Sequence, residues 1–232
     1  MKLKYLIVDR DETIGNFDRY RTSGEIILNP GIKSFLEQAC QDNFITVMAT
    51  GGITETIEEM NQAAGIKHLL DYTFGWEKLR TPQWWKDISN LEKELGKNAF
   101  DNAVMIGNQT DVYCCPYRIP IFHVNFDPGK EYWNTQLVYS LIKRLFENNT
   151  TPANNFDQLF TDNQSPVVEE QQYKFEEERM PIADVYNTVQ LTIQDKVVEL
   201  QKHHLSAEKT ALYQRKYPKF NPEEYNRRVI VI

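Results

Sequence analysis

Two aspartates one residue apart, Asp9 and Asp11, follow a short apolar run near the start of the chain. A carboxylate is a weak nucleophile, but it can attack phosphorus when a metal cation neutralises both the carboxylate and the phosphate. Mg²⁺ suits this task because it takes oxygen ligands and keeps several waters. Residues i and i+2 of an extended segment project to the same side, so Asp11 can reach the pocket of Asp9. We therefore expect Asp9 to be nucleophile and metal ligand, and Asp11 to protonate the leaving oxygen and later activate water.

Alternating strand and helix patterns must position these carboxylates. Short apolar runs predict buried strands at 3–8, 44–50, 102–107 and 119–126. Amphipathic or capped runs predict helices at 32–43, 54–65, 81–96 and 134–148. This alternation predicts an α/β fold, namely a Rossmann-like three-layer α/β/α sandwich with a mostly parallel sheet.

Polar residues also follow the next predicted strands. Thr50 ends the second strand, and Asn108 and Asp111 come after the third. In open parallel sheets, ligands bind beyond the carboxyl ends of the strands. We therefore expect Thr50, Asn108 and Asp111 to share one site with Asp9 and Asp11.

The residues of the first motif resemble a known family. Asp9-Arg10-Asp11-Glu12-Thr13 matches the DxDxT signature of the haloacid dehalogenase (HAD) superfamily of phosphatases. The stretch "DRDETI" is similar to the "DLDETL" of the phosphatases that act on the RNA polymerase II C-terminal tail. "WKDISNLEKEL" resembles their "KDLSxLxRDL" stretch, and "AVMIGNQTD" resembles their "VIIVDNSP" strand. The resemblance covers residues 4–126 and implies the HAD core fold.

This resemblance implies a role for each matching residue in catalysis. Asp9 becomes an aspartyl-phosphate, and Asp11 is the general acid and base. Thr50 hydrogen-bonds the transferring phosphoryl group, and Lys86 stabilises the charge of that group and of Asp9.

The resemblance also implies Mg²⁺ as the cofactor. Asp9, a backbone carbonyl of Asp11, and Asn108 are the implied protein ligands, with Asp111 near the metal through water. Thr13 is implied to fix the loop by bonding backbone.

Two departures from the family pattern bear on the site. Lys86 lies 22 residues before Asn108, a longer gap than the resemblance leads us to expect, and a helix one turn longer would absorb it. Otherwise Lys78 or Arg80 supplies the cation. Gly107 stands where the tail phosphatases have an acid, so one carboxylate is missing beside Asn108.

The composition changes after residue 148. We expect a catalytic core over 1–148, a polar linker over 149–180, and a long C-terminal helix and tail over 181–232. The helix is predicted because apolar residues recur mainly every three or four positions from Pro181 to about Tyr217. Such a helix would bury its stripe on the core or on a partner, as a lid, a dimer element or a target-binding element.

Composition and charge narrow the classes of partner and compartment. The net charge of −7 argues against nucleic acid, which needs basic patches. The N-terminal apolar run is too short for a Sec-type signal peptide, and we expect no membrane span. The few cysteines suggest a reducing compartment, so we expect a cytoplasmic protein, with delivery into a host cell as a bacterial effector also compatible.

The predicted core leaves no room for a large cap domain, and an open site favours a bulky substrate. We therefore expect a protein phosphatase that acts on a phosphorylated protein or peptide. Phosphotyrosine is favoured over phosphoserine and phosphothreonine, because Tyr20, Trp76, Trp84 and Trp85 could supply aromatic walls.

Alternative functions stay open. The domain could serve as a catalytically weak scaffold for interactions, although two adjacent buried acids cost like-charge repulsion that a scaffold does not need. A polynucleotide phosphatase or a small-molecule phosphatase is the other alternative.

Overall fold

An apolar strand near the start of the chain forms the middle of the fold. Tyr5, Leu6, Ile7 and Val8 are all buried, as is typical of a parallel strand covered by helices on both faces. The protein's computed structural model describes residues 2–80, 86–108, 113–114, 118–128, 132–147, 150–163, 185–204, 207–216 and 227–232.

The secondary structure follows the chain in alternating order. The strands are β1 (Lys4–Val8), β2 (Gly15–Asn16), β3 (Ile27–Leu28), β4 (Phe44–Ala49), β5 (Tyr72–Phe74), β6 (Lys86–Asp87), β7 (Ala103–Gly107), β8 (Tyr113–Cys114), β9 (Pro120–His123), β10 (Val185–Ile193), β11 (Lys196–His204) and β12 (Arg227–Val231). The α-helices are α1 (Tyr20–Ser23), α2 (Ile32–Gln41), α3 (Thr54–Ala63), α4 (Trp76–Leu79), α5 (Glu92–Leu95), α6 (Thr135–Leu145), α7 (Pro152–Asp162) and α8 (Ala207–Lys216). Short 3₁₀ helices span Lys67–Leu69, Ile88–Leu91 and Lys97–Asn102.

The long strands join in one sheet. Within the described residues it has eight strands, in the order β10-β11-β12-β9-β7-β1-β4-β5. β1 pairs in parallel with β4 and β7, and β5 and β9 extend the sheet in parallel on either side. Val8 is aligned with Met48 and Ile106, so β1, β4 and β7 end at the same edge. The predicted α/β fold with a mostly parallel sheet is confirmed.

Two helical layers cover this sheet. Leu6 and Val8 belong to the cluster that contains the buried faces of α2, α3, α6 and α7. Tyr5 and Ile7, which point to the opposite face, pack with α4 and with the 3₁₀ helices. This alternation gives the three-layer α/β/α sandwich. The stretch from Thr13 to β4 holds β2, α1, β3 and α2, which leaves no place there for a domain-sized cap.

The segment 81–96 does not form the single helix that we predicted. Residues 81–85 lie outside the described part of the chain, Lys86–Asp87 form β6, and a 3₁₀ helix and α5 follow. Asp87 is extended, and its carboxylate accepts a hydrogen bond from the Ser89 amide at 3.1 Å. This side chain therefore starts a new turn at its own position and interrupts any helix running through it. Lys86 consequently reaches the site from an extended strand, which pairs with β8.

The predicted long C-terminal helix is wrong over residues 185–204. These residues form the antiparallel hairpin β10-β11, which packs through β12 onto β9 and so extends the central sheet. The buried residues Val189, Leu191, Val198 and Leu200 alternate along the strands, whereas Val197 of the supposed stripe is 60% exposed. A period of two therefore describes the burial, and the apparent helical spacing depended on the exposed valine.

The predicted linker also contains an ordered helix. Thr151 caps α7 by accepting from the Asn154 amide, and Pro152 occupies its first turn. Phe156, Leu159 and Phe160 bury the apolar face of α7 in the core. The boundaries at residues 148 and 180 stay predictions, but the C-terminal strands share one sheet with the core.

One buried ion-pair cluster fastens this extension. Asp157 of α7 accepts two hydrogen bonds from Arg228 of β12, at 3.0 and 2.6 Å. Its carboxylate also pairs with Lys202 of β11 at 3.0 Å and with Arg118 at 2.8 Å. Arg228 is only 1% exposed, so its charge depends on this partner.

No helix among the described residues has both the length and the apolar character needed to cross a membrane.

Candidate active site

The carboxylate of Asp9 lies at the carboxyl end of β1, where it is only 2% exposed. Its Oδ2 accepts a hydrogen bond from Lys86 Nζ at 2.6 Å, and its Oδ1 accepts one from the Arg10 amide at 2.8 Å. The Asp9 amide donates to the carbonyl of Ile106 at 2.8 Å, which fixes the residue against β7. A buried carboxylate with a cation and an amide donor is thus held in one orientation.

The structure brings Lys86, among the alternative cations, to Asp9. Lys78 instead pairs with Glu94 at 2.8 Å on the surface, where the hydrogen bond and charge of Glu94 raise the pKa of the lysine. The Arg80 guanidinium lies over the Trp76 ring, 5.3 Å from its centroid. Geometry therefore favours Lys86 as the cation of the site.

Asp11 is held by a residue whose importance the sequence did not reveal. Arg10 Nε and Nη2 donate to the two carboxylate oxygens of Asp11, both at 3.0 Å. The Arg10 side chain itself is buried, with Nη1 on Met60 Sδ and the guanidinium 4.8 Å from the centroid of the Phe17 ring. The two-donor contact fixes the carboxylate of Asp11, whose side chain is 46% exposed. An arginine between two aspartates reads as an ordinary surface residue, so only the fold shows this contact.

Thr50 lies beside Asp11 at the end of β4. It is fully buried, its amide donates to the Phe74 carbonyl at 3.1 Å, and its hydroxyl donates to Asp11 Oδ2 at 3.5 Å. A Cβ on the adjacent Gly51 would stand 3.7 Å from Lys86 Cε, so this loop also adjoins the lysine. The carboxyl ends of β1 and β4 therefore bring Asp9, Asp11, Thr50 and Lys86 together, as the sequence predicted.

Asn108 follows β7 at the same edge. Its Nδ2 donates to Glu12 Oε2 at 2.6 Å. Asp111, the remaining predicted residue, lies outside the described residues.

The expected side-chain role of Thr13 is wrong. The Thr13 hydroxyl is buried and has no hydrogen-bond partner among the described residues. The loop is fixed through backbone instead, because the Thr13 carbonyl accepts from Trp133 Nε1 at 2.7 Å and its amide donates to the Arg10 carbonyl at 3.3 Å. The nearby apolar core thus encloses the hydroxyl before it reaches a partner.

The donors at this edge fit Mg²⁺ by their chemistry. Asp9 offers carboxylate oxygen, Asp11 a backbone carbonyl, and Asn108 an amide oxygen, and hard oxygen donors are what Mg²⁺ prefers. Among the described residues there is no cluster of three or more His, Cys, Asp or Glu side chains that could hold a metal ion. The set at this edge differs from such a cluster because it combines carboxylate with amide and backbone oxygen.

This arrangement can perform nucleophilic displacement at phosphorus. A fixed carboxylate beside a cation provides the attacking group, a second carboxylate within reach can move protons, and a buried hydroxyl can bind a phosphoryl oxygen.

Comparisons with known proteins agree with this picture at the level of the superfamily. The chain is similar to a haloacid dehalogenase-like family hydrolase from Streptococcus pneumoniae, with TM-score 0.42 and 15% identity over 59% of this chain and 90% of that one. It is similar to a HAD-superfamily hydrolase from Ehrlichia chaffeensis, with TM-score 0.45 and 12% identity over 63% of this chain and 100% of that one. A third is D,D-heptose 1.7-bisphosphate phosphatase from B. bronchiseptica, complexed with magnesium and phosphate, with TM-score 0.38 and 16% identity over 69% and 99% of the two chains. No protein-family model matches the sequence, and no curated protein matches it. Since these scores and identities are low, the function is argued from this chain's own residues.

Proposed function

We propose that the protein is a Mg²⁺-dependent phosphomonoester hydrolase of the HAD superfamily, in the branch that resembles the RNA polymerase II tail phosphatases. The observation that carries this proposal is the buried Asp9–Lys86 pair at the carboxyl end of the central strand. Burying two charges costs several kcal/mol per ion before their attraction offsets it, as an order of magnitude. A pair placed beside an open edge of the sheet, where ligands bind, points to catalysis rather than to stability.

The first step transfers the phosphoryl group to Asp9. A carboxylate oxygen of Asp9 attacks phosphorus, and the bond from phosphorus to the substrate oxygen breaks. Asp11, in its acid form, gives its proton to that leaving oxygen, so an alcohol or phenol departs. The Lys86 ammonium and the Thr50 hydroxyl bind the phosphoryl oxygens while charge spreads over them.

The second step returns Asp9 to its starting state. The Asp11 carboxylate takes a proton from a water molecule, whose oxygen attacks the phosphorus of the aspartyl-phosphate. The bond between Asp9 and phosphorus breaks, and inorganic phosphate leaves. When bound, Mg²⁺ would be held by Asp9, the Asp11 carbonyl and Asn108, and it would neutralise negative charge between the phosphate and the carboxylates.

We infer a protein or peptide substrate, with phosphotyrosine preferred over phosphoserine and phosphothreonine. The 46% exposure of the Asp11 side chain supports an open site, as does the absence of a domain-sized insertion between Thr13 and β4. Trp76, 37% exposed, supports the aromatic preference, because its amide donates to the Gly52 carbonyl at 2.7 Å in the loop after Thr50. An exposed ring at that place could stack on a phenyl ring of the substrate.

The test is hydrolysis of p-nitrophenyl phosphate with Mg²⁺, with EDTA, and by the Asp9→Asn variant. We expect turnover that needs Mg²⁺ and that falls at least about 10³-fold in Asp9→Asn, because an amide cannot act as the nucleophile. Lys78→Gln is the matched control, since Lys78 lies on the surface in its pair with Glu94, and it should retain full activity.

A panel of phosphopeptides then tests the substrate. A kcat/KM for phosphotyrosine peptides at least tenfold above that for phosphoserine peptides would support the preference. Absence of turnover on every substrate, with folded protein and Mg²⁺ present, would overturn the proposal in favour of a scaffold.

A further inference from the structure

Glu12 adopts a backbone conformation that its residue type disfavours. Its φ is +54°, in the left-handed region, which costs a residue other than glycine of the order of 1 kcal/mol or more. The conformation is fixed on both sides, because the Glu12 amide donates to the Gly15 carbonyl at 3.0 Å and its carbonyl accepts from the Phe126 amide at 2.8 Å. Glycine would adopt this turn without strain, so the glutamate side chain must serve a purpose that offsets the cost.

The side chain of Glu12 makes one short contact, with Asn108. Glu12 Oε2 accepts from Asn108 Nδ2 at 2.6 Å. An ionised carboxylate can only accept hydrogen bonds, whereas an amide group has one donor end and one acceptor end. The contact therefore decides which end of the Asn108 amide faces Glu12, and it leaves Oδ1 directed away from that carboxylate.

Asn108 gains no such help from the residue before it. Gly107 ends β7 and carries no side chain, and its carbonyl is used by the Val124 amide at 3.1 Å. Asn108 is also half-buried at the edge of the sheet, where a free amide could rotate about its last bond.

We propose that Glu12 is a positioning residue that holds the Asn108 amide with its oxygen available to Mg²⁺. This inference rests on the proposed function, because it presumes that Asn108 is a metal ligand. Outer partners that orient metal ligands contribute about 10–100-fold to metal affinity. Glu12 acts in this way through a hydrogen bond and makes no contact with substrate.

The test is Mg²⁺ binding to the whole chain by isothermal titration calorimetry, without substrate. We expect Glu12→Gly to bind Mg²⁺ about tenfold more weakly while its melting temperature stays equal or rises, because glycine relieves the left-handed backbone. Glu12→Gln should bind within about threefold of the original chain, because its amide oxygen still accepts from Asn108.

A double-mutant cycle separates positioning from simple attraction by a negative charge. In the Asn108→Ala background, Glu12→Gly should cause no further loss of Mg²⁺ affinity if Glu12 acts through Asn108. An equal loss in both backgrounds would overturn the positioning role.

The remaining outcomes are also distinct. Glu12→Gly binding Mg²⁺ within twofold of the original chain would overturn this inference and leave the proposed function standing. No Mg²⁺ binding by the original chain would overturn the metal dependence and the inference with it.

Discussion

At the scale of single residues, the motif DRDET has two kinds of members. Asp9 and Asp11 carry the proposed chemistry, while Arg10 and Glu12, between and after them, hold other side chains in place. Both supporting residues are charged, and each makes its contact with a residue that a linear motif does not reveal as its partner. The order of the motif thus brings reacting and positioning groups onto one short loop.

Arg10 should affect the proton transfer by Asp11 more than the binding of substrate. We expect Arg10→Leu to lower kcat/KM about tenfold or more on phenyl phosphate and less on p-nitrophenyl phosphate, because a good leaving group needs little help from a general acid. Leucine should be accommodated beside Met60 and Phe17, so folding should survive. Steady-state kinetics on the two substrates provides the measurement.

Arg19→Leu is the control for Arg10→Leu, since Arg19 lies on the surface in a pair with Glu25. Equal losses of kcat/KM by Arg10→Leu on both phosphates would show that Arg10 does not serve the proton transfer of Asp11.

At the scale of elements, α7 and the C-terminal strands depend on one carboxylate. Asp157→Ala leaves the buried Arg228 guanidinium without its two-oxygen partner, and removing one member of a buried pair costs about 3–5 kcal/mol. We expect the free energy of unfolding to fall by that amount in urea denaturation. Asp162→Ala, on the exposed end of the same helix, should cost less than about 0.5 kcal/mol. Similar losses in the two variants would contradict a special role of Asp157.

The elements also show what sequence patterns could and could not predict. β1, β4 and β7 were predictable because each is a short apolar run buried on both faces, so the edge that carries Asp9, Thr50 and Asn108 followed directly. The β10-β11 hairpin was missed because its turn, Gln194-Asp195, has φ values of 50° and 60° without the Asn-Gly signature that usually marks such turns. Those strands also depend on β12, a partner distant in sequence, which local patterns do not encode.

The candidate site divides in the same way. Asp9, Asp11, Thr50 and Asn108 follow predicted strands, so their meeting at one edge needed only the parallel topology. Lys86 needed more, because β6 pairs with β8 and no local pattern predicts a two-residue strand there. Arg10 and Glu12 could not be predicted at all, since their roles arise from side-chain geometry and from a left-handed backbone.

At the scale of the whole molecule, two anchored carboxylates connect distant parts of the chain and should govern its stability in acid. The hydroxyl of Tyr139 donates to Asp42 at 2.8 Å and, with the charge of Lys143, lowers the pKa of that aspartate despite partial burial. Burial raises the pKa of Asp157, but the hydrogen bonds and charges of Arg228 and Lys202 together hold it below its ordinary value. Asp42 thereby joins α2 to α6, and Asp157 joins α7 to the last strands.

The sign of the pH effect follows from these depressed pKa values. A carboxylate whose pKa is lower in the folded state contributes stability fully above its unfolded pKa of about 3.9, and that contribution is lost as the pH falls through the folded value. We expect the free energy of unfolding to fall between pH 5 and pH 2, to a smaller extent in the double variant Asp42→Asn/Asp157→Asn. Urea denaturation at a series of pH values measures the two slopes, with Asp18→Asn/Asp162→Asn as the exposed control. If the double variant loses as much stability in acid as the original chain, other carboxylates control the acid limit. A flatter profile confined to the Asp42 and Asp157 variant would show that these two contacts carry the pH dependence of the whole fold.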